Sequence, residues 1–220
     1  MTHKPGLAIE AWPQREGFLA VREGRGHERL KAQWQMAQAL PQACVDTGFS
    51  GLCPLCGQAG SFGRRGEPGS FEVREGLACE HCGNNARMRL GLALLTEGLN
   101  PARARVYLTE QASPGFVWLQ RHFAAATGSE FGLDGRHRRR LQRHFEQLGG
   151  RGGLCEADIT ALPNADATLD AIGSFDVLEH VPDYRAALRE FARVLVPGGR
   201  LLLTVPFLET LQDTLVRATL

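Results

Sequence analysis

No apolar stretch of this 220-residue chain approaches the roughly 20 residues that a membrane-spanning helix needs. The N-terminus, Met1 to Gly6, has no apolar segment behind it and so lacks the pattern of a secretory signal. The formal net charge is only +1, which gives no overall argument for nucleic acid or an anionic membrane as a partner. These absences predict a cytoplasmic protein whose thiols stay reduced.

The chain is long enough for one α/β domain and a small additional module, and its hydrophobic content of 43% is ordinary. We expect three parts. Residues 1–45 form a polar segment with a short helix over Glu28 to Leu40, ended by Pro41. Residues 46–92 are rich in glycine and cysteine. Residues 93–220 have the composition of an α/β domain.

Four of the six cysteines occur in two similar turns, Cys53-Pro54-Leu55-Cys56-Gly57 and Cys79-Glu80-His81-Cys82-Gly83. Two ligands separated by two residues can bind one ion from a single tight turn, and the following glycine permits a left-handed backbone. Four thiolates complete a tetrahedral zinc shell and leave no position for water, so the ion is expected to be structural. An iron–sulfur cluster uses the same ligands, and disulfides conflict with a reducing compartment.

The other residues near this pattern have simpler interpretations. His81 lies inside the second turn, but four thiolates already complete the shell. Cys44 and Cys155 are expected to be small buried residues. The alternating run Phe71 to Arg74 is typical of a strand, so residues 46–92 are interpreted as a zinc ribbon.

Beyond the cysteines, short apolar strands alternate with amphipathic helices, which favours a doubly wound α/β fold with a parallel sheet. The predicted strands are 105–109, 124–130, 154–159, 169–175 and 201–205. The predicted helices are 87–99, 116–123, 138–148, 184–195 and 208–220.

Three motifs follow one another in the second half of the chain. They are Asp158-Ile159-Thr160-Ala161-Leu162-Pro163, then Ile172-Gly173-Ser174-Phe175-Asp176-Val177-Leu178-Glu179-His180-Val181, then Arg193-Val194-Leu195-Val196-Pro197-Gly198-Gly199. Together they resemble the class I S-adenosylmethionine-dependent methyltransferases, in particular their small-molecule, methyltransferase-11-like branch. The whole chain more loosely resembles members with an N-terminal four-cysteine module.

This resemblance implies a Rossmann-like domain that binds S-adenosylmethionine at the carboxyl ends of its strands. It implies an acidic residue after the first strand, here Glu110, and an acceptor for two ribose hydroxyls, here Glu130. Asp158 would accept from the adenine amino group, with the backbone of Ile159 nearby. The remaining implied residues are Ser174, Phe175 and Asp176 facing the cofactor, and His180 either as a base in the substrate pocket or as a residue that caps and packs.

The sequence departs from the family after the first strand, where a G-x-G pattern is usual. Here the strand leads into Thr109-Glu110-Gln111-Ala112-Ser113-Pro114-Gly115, with one late glycine. The side chains of Gln111 and Ser113 are candidates to replace the missing backbone contacts. The absence of G-x-G-x-x-G also disfavours hydride transfer on a dinucleotide.

A second departure concerns the sheet, for which we count five strands where the family has seven. The strand 201–205 would then be an exposed apolar edge, which invites pairing with another chain. We therefore expect either a truncated chain or a homo-oligomer that completes the sheet.

The leading interpretation is an S-adenosylmethionine-dependent methyltransferase acting on an unidentified small-molecule acceptor, with structural zinc. The competing interpretation is a non-catalytic zinc-ribbon protein with a degenerate methyltransferase-like domain that contacts nucleic acid or a protein partner. The dense run Arg136 to His144 would serve that binding, although a solvated helix face explains the same charges.

Overall fold

The structure is a computed structural model that describes residues 14–24, 26–43, 49–64 and 73–206. The chain divides into two compact units, one up to Arg87 and one from Met88 onward. The predicted helix 208–220 and Cys44 lie outside the described residues. Within the described part, no helix is both long and apolar enough to cross a lipid bilayer.

Two helices open the first unit, α1 (Arg15–Glu23) and α2 (His27–Ala43). The predicted end of the second helix was wrong, because α2 continues past Pro41 for two more residues. A proline this close to the end of a helix removes only one of its last backbone hydrogen bonds, so the final turn still forms.

A three-stranded antiparallel sheet completes the first unit. Its strands β1 (Phe49–Leu52), β2 (Ala59–Arg64) and β3 (Leu77–Cys79) lie in that order. The sequence predicts a strand at Phe71 to Arg74. That prediction is wrong for the residues that the structure describes, because Val73–Gly76 forms a single helical turn, α3. Glu75 fixes this turn by accepting from Asn85 Nδ2 at 2.6 Å and Arg87 Nε at 2.7 Å.

The second unit is an α/β domain with a parallel sheet in the order β5-β4-β6-β7, which confirms the predicted fold class. Its strands are β4 (Arg105–Leu108), β5 (Ala125–Gly128), β6 (Leu169–Phe175) and β7 (Leu195–Thr204). Its helices are α4 (Ala86–Thr96), which begins just before the unit boundary, α5 (Pro114–His122), α6 (Gly135–Gln147) and α7 (Tyr184–Val194), with a 3₁₀ turn at Leu178–His180.

The predicted strand 154–159 is wrong, since this segment makes only one parallel bridge, between Glu130 and Glu156. Side chains bind its backbone instead of a neighbouring strand. The Leu154 amide donates to Gln142 Oε1 at 3.0 Å, and the Cys155 amide donates to Gln111 Oε1 at 2.7 Å. These amides are therefore unavailable for a regular ladder.

The last described strand also differs from expectation. Strand β7 begins immediately after α7 and includes Pro197-Gly198-Gly199, where Gly198 has a φ of 79°. Its register shifts there, because Leu169 pairs with Leu195 but Ala171 pairs with Arg200. Residues 201–204 are half-buried. Whether another chain pairs with this strand stays a prediction.

One face of the sheet packs against α7. Helix α7 presents Ala187, Phe191 and Val194 at helical spacing, and all three are fully buried. They belong to a cluster whose buried members are Tyr107, Ile159, Leu162, Leu169, Ile172, Leu178, Ala187, Phe191 and Val194.

The opposite face is closely packed at two glycines. A Cβ on Gly173 of β6 would lie 2.7 Å from Leu108 Cδ1 and 2.9 Å from Leu95 Cδ2. A Cβ on Gly91 of α4 would lie 2.6 Å from the ring of Phe175. Both positions therefore require the smallest residue for α4 to approach the sheet.

Arg200 of β7 caps the carboxyl end of α4 by donating from Nη1 to the carbonyls of Leu94, Leu95 and Glu97 at 2.6, 3.0 and 3.1 Å. We expect Arg200→Met to lower the free energy of unfolding by about 1–3 kcal/mol, because it leaves helix-end carbonyls without a donor. Urea unfolding measures this change. The control Arg189→Met, on exposed α7 surface, is expected to stay within about 0.5 kcal/mol of the original protein. Equal effects of the two substitutions would contradict the capping role.

Candidate functional site

The four paired cysteines come together in one cluster. Their Sγ atoms all lie within 4.8 Å of one another. The pairs Cys53–Cys82 and Cys56–Cys79 are each separated by 3.9 Å between sulfurs. Cys53 and Cys79 are buried, and their two partners are half-buried.

Two equivalent turns build this cluster. The Gly57 amide donates to Cys53 O at 2.9 Å, and the Gly83 amide donates to Cys79 O at 2.8 Å. The two glycines have φ values of 71° and 69°, a left-handed conformation that side chains disfavour. Each turn thus brings its two sulfurs to the same side, as their spacing predicts.

The surroundings of the cluster are also ordered. Asn84 is buried, and its Nδ2 donates to Cys82 O at 3.1 Å. His81 Nε2 lies 3.2 Å from Ala59 O, so this ring is engaged outside the sulfur cluster. Cys155 belongs to the other unit and is exposed, which corrects the expectation that it is buried.

The sulfurs affect one another's ionisation. The thiol of Cys53 hydrogen-bonds with Cys82 and is removed from water, which raises the pKa of Cys53 to about 12. The same hydrogen bond lowers the pKa of Cys82. Four closely spaced sulfurs with no other ligand type match the tetrahedral thiolate shell that zinc accepts.

In the second unit, parallel pairing brings the carboxyl ends of β4, β5 and β6 to one edge of the sheet. The connection after β4 leads to β5 on one side of it, and the next connection leads from β5 to β6 on the other side of β4. The strand order therefore reverses beside β4, which creates a topological switch point. Acidic residues follow the three strands: Glu110, Glu130 and Asp176. The carboxyl edge is therefore the candidate cofactor site.

Hydrogen bonds to both the backbone and the side chain of Glu130 fix its position. Its amide donates to Cys155 O at 2.9 Å, and its carbonyl accepts from the Ala157 amide at 3.1 Å. One carboxylate oxygen, Oε1, accepts from the Ala112 amide at 2.6 Å. Burial raises the pKa of this carboxyl, and the Ala112 hydrogen bond partly opposes the shift.

The loop after β4 is ordered by its own side chains in place of glycines. Glu110 Oε1 accepts from the Phe175 amide at 3.2 Å, which connects the ends of β4 and β6. Ser113 Oγ donates to Glu110 O at 2.7 Å and accepts from the Phe116 amide at 3.1 Å, which caps α5. Gln111 is buried and bonds to Gly153 O and the Cys155 amide. Gln111 and Ser113 are thus used within the fold.

Asp158 lies in the exposed loop after the Glu130–Glu156 bridge. Its Oδ1 accepts from the amide and the hydroxyl of Thr160 at 2.8 and 2.7 Å. No hydrogen bond within the described residues involves its other carboxylate oxygen. The side chain of Ile159 is buried in the core cluster, so only its backbone can approach a ligand.

The three residues predicted after β6 have different environments. Ser174 is fully buried, and its Oγ has no hydrogen-bond partner among the described residues. The ring of Phe175 is buried against Gly91. Asp176 has a φ of 57°, and its Oδ1 accepts from Thr204 Oγ1 at 2.7 Å. Because side chains alternate along a strand, Ser174 and Phe175 point to opposite faces of the sheet, while Asp176 lies beyond the end of β6.

His180 ends the 3₁₀ turn, and its side chain is 79% exposed. Its nearest charged neighbour is Glu179, whose Oε1 lies 3.9 Å from Nε2. The ring therefore neither packs in the core nor caps a helix, and it remains accessible to a substrate.

Phe131 is a further candidate site residue that the sequence motifs did not indicate. It directly follows Glu130 at the carboxyl edge, and it is 73% exposed. An exposed aromatic ring beside a carboxylate provides a stacking surface for a planar base. An aromatic residue directly after an acid at a strand end is the sequence signal that could have identified it.

Residues 113–203 match the family model described as a methyltransferase domain. This part of the chain is therefore similar to methyltransferase domains. The match includes the carboxyl ends of β5 and β6 and all three motifs from Asp158 to Gly199, whereas β4 and Glu110 precede it. The resemblance found in the sequence is thereby confirmed for this domain.

Curated relatives match over shorter stretches. The methyltransferase GfsG of Streptomyces halstedii is 40% identical over 75 residues, which are 34% of this chain and 24% of that protein. The 27-O-demethylrifamycin SV methyltransferase of Amycolatopsis mediterranei is 47% identical over 47 residues, 21% of this chain and 17% of that protein. The chain thus spans about a quarter or less of these relatives.

A solved geranyl diphosphate methyltransferase in complex with its diphosphate and sinefungin shares 19% identity with this chain. That match covers 54% of this chain and 44% of the other, with a TM-score of 0.43.

The residues at the carboxyl edge fit a nucleoside cofactor. Glu130 and Asp158 each have one carboxylate oxygen outside the internal hydrogen bonds described above, and Phe131 offers an exposed ring. The loop after β4 fits less directly, because its side chains already bind within the fold. The methyltransferase domain therefore retains acceptors for hydroxyl and amino groups.

The cysteine cluster generates a prediction about metal content. We expect one zinc ion per chain by elemental analysis, and we expect Cys56→Ser to abolish it, because three thiolates leave the shell incomplete. Cys155→Ser is the matched control, since this exposed thiol lies outside the cluster and its loss is expected to change nothing. Unchanged zinc content in Cys56→Ser would contradict the four-thiolate site. Removing zinc with a chelator is expected to lower the thermal midpoint of the first unit.

Proposed function

We propose that this chain is an S-adenosylmethionine-dependent methyltransferase acting on a small organic acceptor. The observation that supports this most directly is the methyltransferase-domain match over residues 113–203. The acidic groups at the carboxyl edge of the same segment provide independent support from the geometry.

Three residues would hold the nucleoside part of the cofactor. Glu130 would accept from ribose hydroxyls with the carboxylate oxygen that Ala112 leaves free. Asp158 would accept from the adenine amino group, and Phe131 would stack on the adenine ring. Glu110 would act indirectly, because its carboxylate connects the ends of β4 and β6.

The bound cofactor supplies an activated methyl group on a sulfonium. The chain's contribution is to align the acceptor with that methyl group and to exclude water. His180 is the candidate to take a proton from the acceptor, because its exposed ring lies just beyond the end of β6. A base is needed only for acceptors that must lose a proton to react.

The class of acceptor is proposed from the relatives. The name of one of them describes methylation of 27-O-demethylrifamycin SV, an organic molecule far smaller than a protein or nucleic acid. A small organic acceptor for this chain follows by analogy with those proteins.

The four cysteines would hold a structural zinc ion. Cys53, Cys56, Cys79 and Cys82 would supply all four ligands, so no position remains for a substrate or an activated water. The ion would stabilise the small sheet of the first unit, whose β3 ends at Cys79.

The proposed cofactor site is tested by calorimetric titration of S-adenosylmethionine into the zinc-loaded protein. We expect binding, and we expect Glu130→Ala and Asp158→Ala each to weaken it by at least about tenfold, the effect of losing one charge-assisted hydrogen bond. Glu146→Gln is the control, because this exposed carboxylate on α6 bonds only to Gln142. No binding by folded wild-type protein would contradict the proposal.

The role of Phe131 gives a separate prediction. Phe131→Ala is expected to weaken S-adenosylmethionine binding by about 1–3 kcal/mol through loss of stacking. Because the ring is 73% exposed, the thermal midpoint is expected to change little. Phe131→Trp is expected to preserve the affinity. A Phe131→Ala protein that binds as tightly as the wild type would exclude Phe131 from the site.

A further inference from the structure

Helix α6 of the second unit presents a stripe of four arginines to solvent. Arg136, Arg139, Arg140 and Arg143 occupy positions i, i+3, i+4 and i+7, so they share one face of the helix, and all four are exposed. The opposite face anchors the helix through Phe145, which is fully buried. At a rise of 1.5 Å per residue, the stripe is about 10 Å long.

These arginines have few partners within the protein. No hydrogen bond or ion pair within the described residues involves the guanidinium of Arg136, Arg139 or Arg143. Arg140 Nη2 lies 3.1 Å from His137 Nδ1, which is not an acidic group. The one acidic residue of α6, Glu146, bonds to Gln142 instead.

Several other arginines of the same unit are paired. Arg193 pairs with Glu190 and Asp166, and Arg105 pairs with Asp170. Arg138, which lies in the same helix but off the stripe, binds Leu154 O and Glu156. Arg103, Arg121 and Arg151 are also exposed and have no ion pair within the described residues, but they lie in separate segments, whereas four such arginines share one face of α6.

The stripe works against the stability of its own helix. Arg136 and Arg140, like Arg139 and Arg143, are like-charge pairs four residues apart, which repel each other. Arg136 also stands in the first turn, where the helix dipole disfavours a positive charge. Local stability does not explain this arrangement, whereas binding of an anionic partner would.

The chemistry of the stripe selects among anionic partners. Guanidinium groups form paired hydrogen bonds to phosphate oxygens. The exposed face of the stripe has no large apolar side chain to insert into a lipid surface. Along the axis of a double helix each strand carries one phosphate per 3.4 Å or so, so the stripe is comparable in length to a run of about three phosphates.

We propose that the arginine stripe of α6 binds the phosphodiester backbone of a nucleic acid strand. This binding is additional to the proposed methyl transfer and does not rest on it. The near-neutral charge of the whole chain gives no general attraction to nucleic acid, so the proposal depends on this face.

The test uses the full-length, zinc-loaded protein and a fluorescent 20-nucleotide single strand, as RNA and as DNA of the same sequence, followed by anisotropy. We expect binding at low salt that weakens as salt rises. Arg139→Gln combined with Arg143→Gln is expected to weaken it at least about tenfold and to reduce the salt slope by about 1.4, since each lost phosphate contact contributes about 0.7.

The matched control is Arg185→Gln combined with Arg189→Gln, which removes the same charge from exposed α7. This control is expected to retain wild-type affinity and slope. The α6 variant is expected to keep or raise its thermal midpoint, because like-charge repulsion is relieved. Stripe-dependent binding of either strand would support the proposal, and the tighter of the two would show whether the stripe prefers RNA or DNA.

Three results would overturn the proposal. The first is no binding of either strand by the wild type at about 50 mM salt, where electrostatic binding is strong. The second is an equal loss of binding affinity in the α6 and α7 variants. The third is equal or tighter stripe-dependent binding to phosphatidylserine vesicles or to polyglutamate, which would assign the surface to a membrane or to an acidic protein.

Discussion

Parallel pairing of β4 with both β5 and β6 is the constraint on which the candidate cofactor site depends. It aligns the carboxyl ends of the three strands, so residues far apart in the chain meet at one edge. Glu110 then reaches the Phe175 amide, and Glu130 reaches the Ala112 amide. Each carboxylate thus connects the end of its own strand to a neighbouring segment.

The loop after β4 shows how a methyltransferase domain can be built without the usual glycine pattern. Ser113 closes the turn and caps α5, while Gln111 binds two backbone groups of the segment 153–155. Side chains thereby supply the contacts that fix the loop. The same bonds remove Gln111 and Ser113 as free partners for a cofactor and leave Glu130, Phe131 and Asp158 as the main candidates.

Charge and metal ligands are distributed so that each unit has one concentrated feature. In the first unit, two left-handed glycine turns gather four sulfurs. In the second unit, α6 gathers four arginines on one exposed face, although the charge of the whole chain is close to zero. The net charge alone does not reveal this local surface, whereas the sequence shows the dense basic run and the structure shows that four of its arginines share one exposed face.

The sequence by itself determined the fold class, the pairing of the cysteine turns and the methyltransferase motifs, because these depend on residue spacing and local periodicity. Tertiary structure decided the rest. The segment 154–159 became a loop because Gln111 and Gln142, distant in sequence, bind its amides. Ser174 is buried, whereas Phe131 is exposed beside Glu130. Which side of a strand end faces a ligand depends on long-range packing, and periodicity within one segment does not encode it.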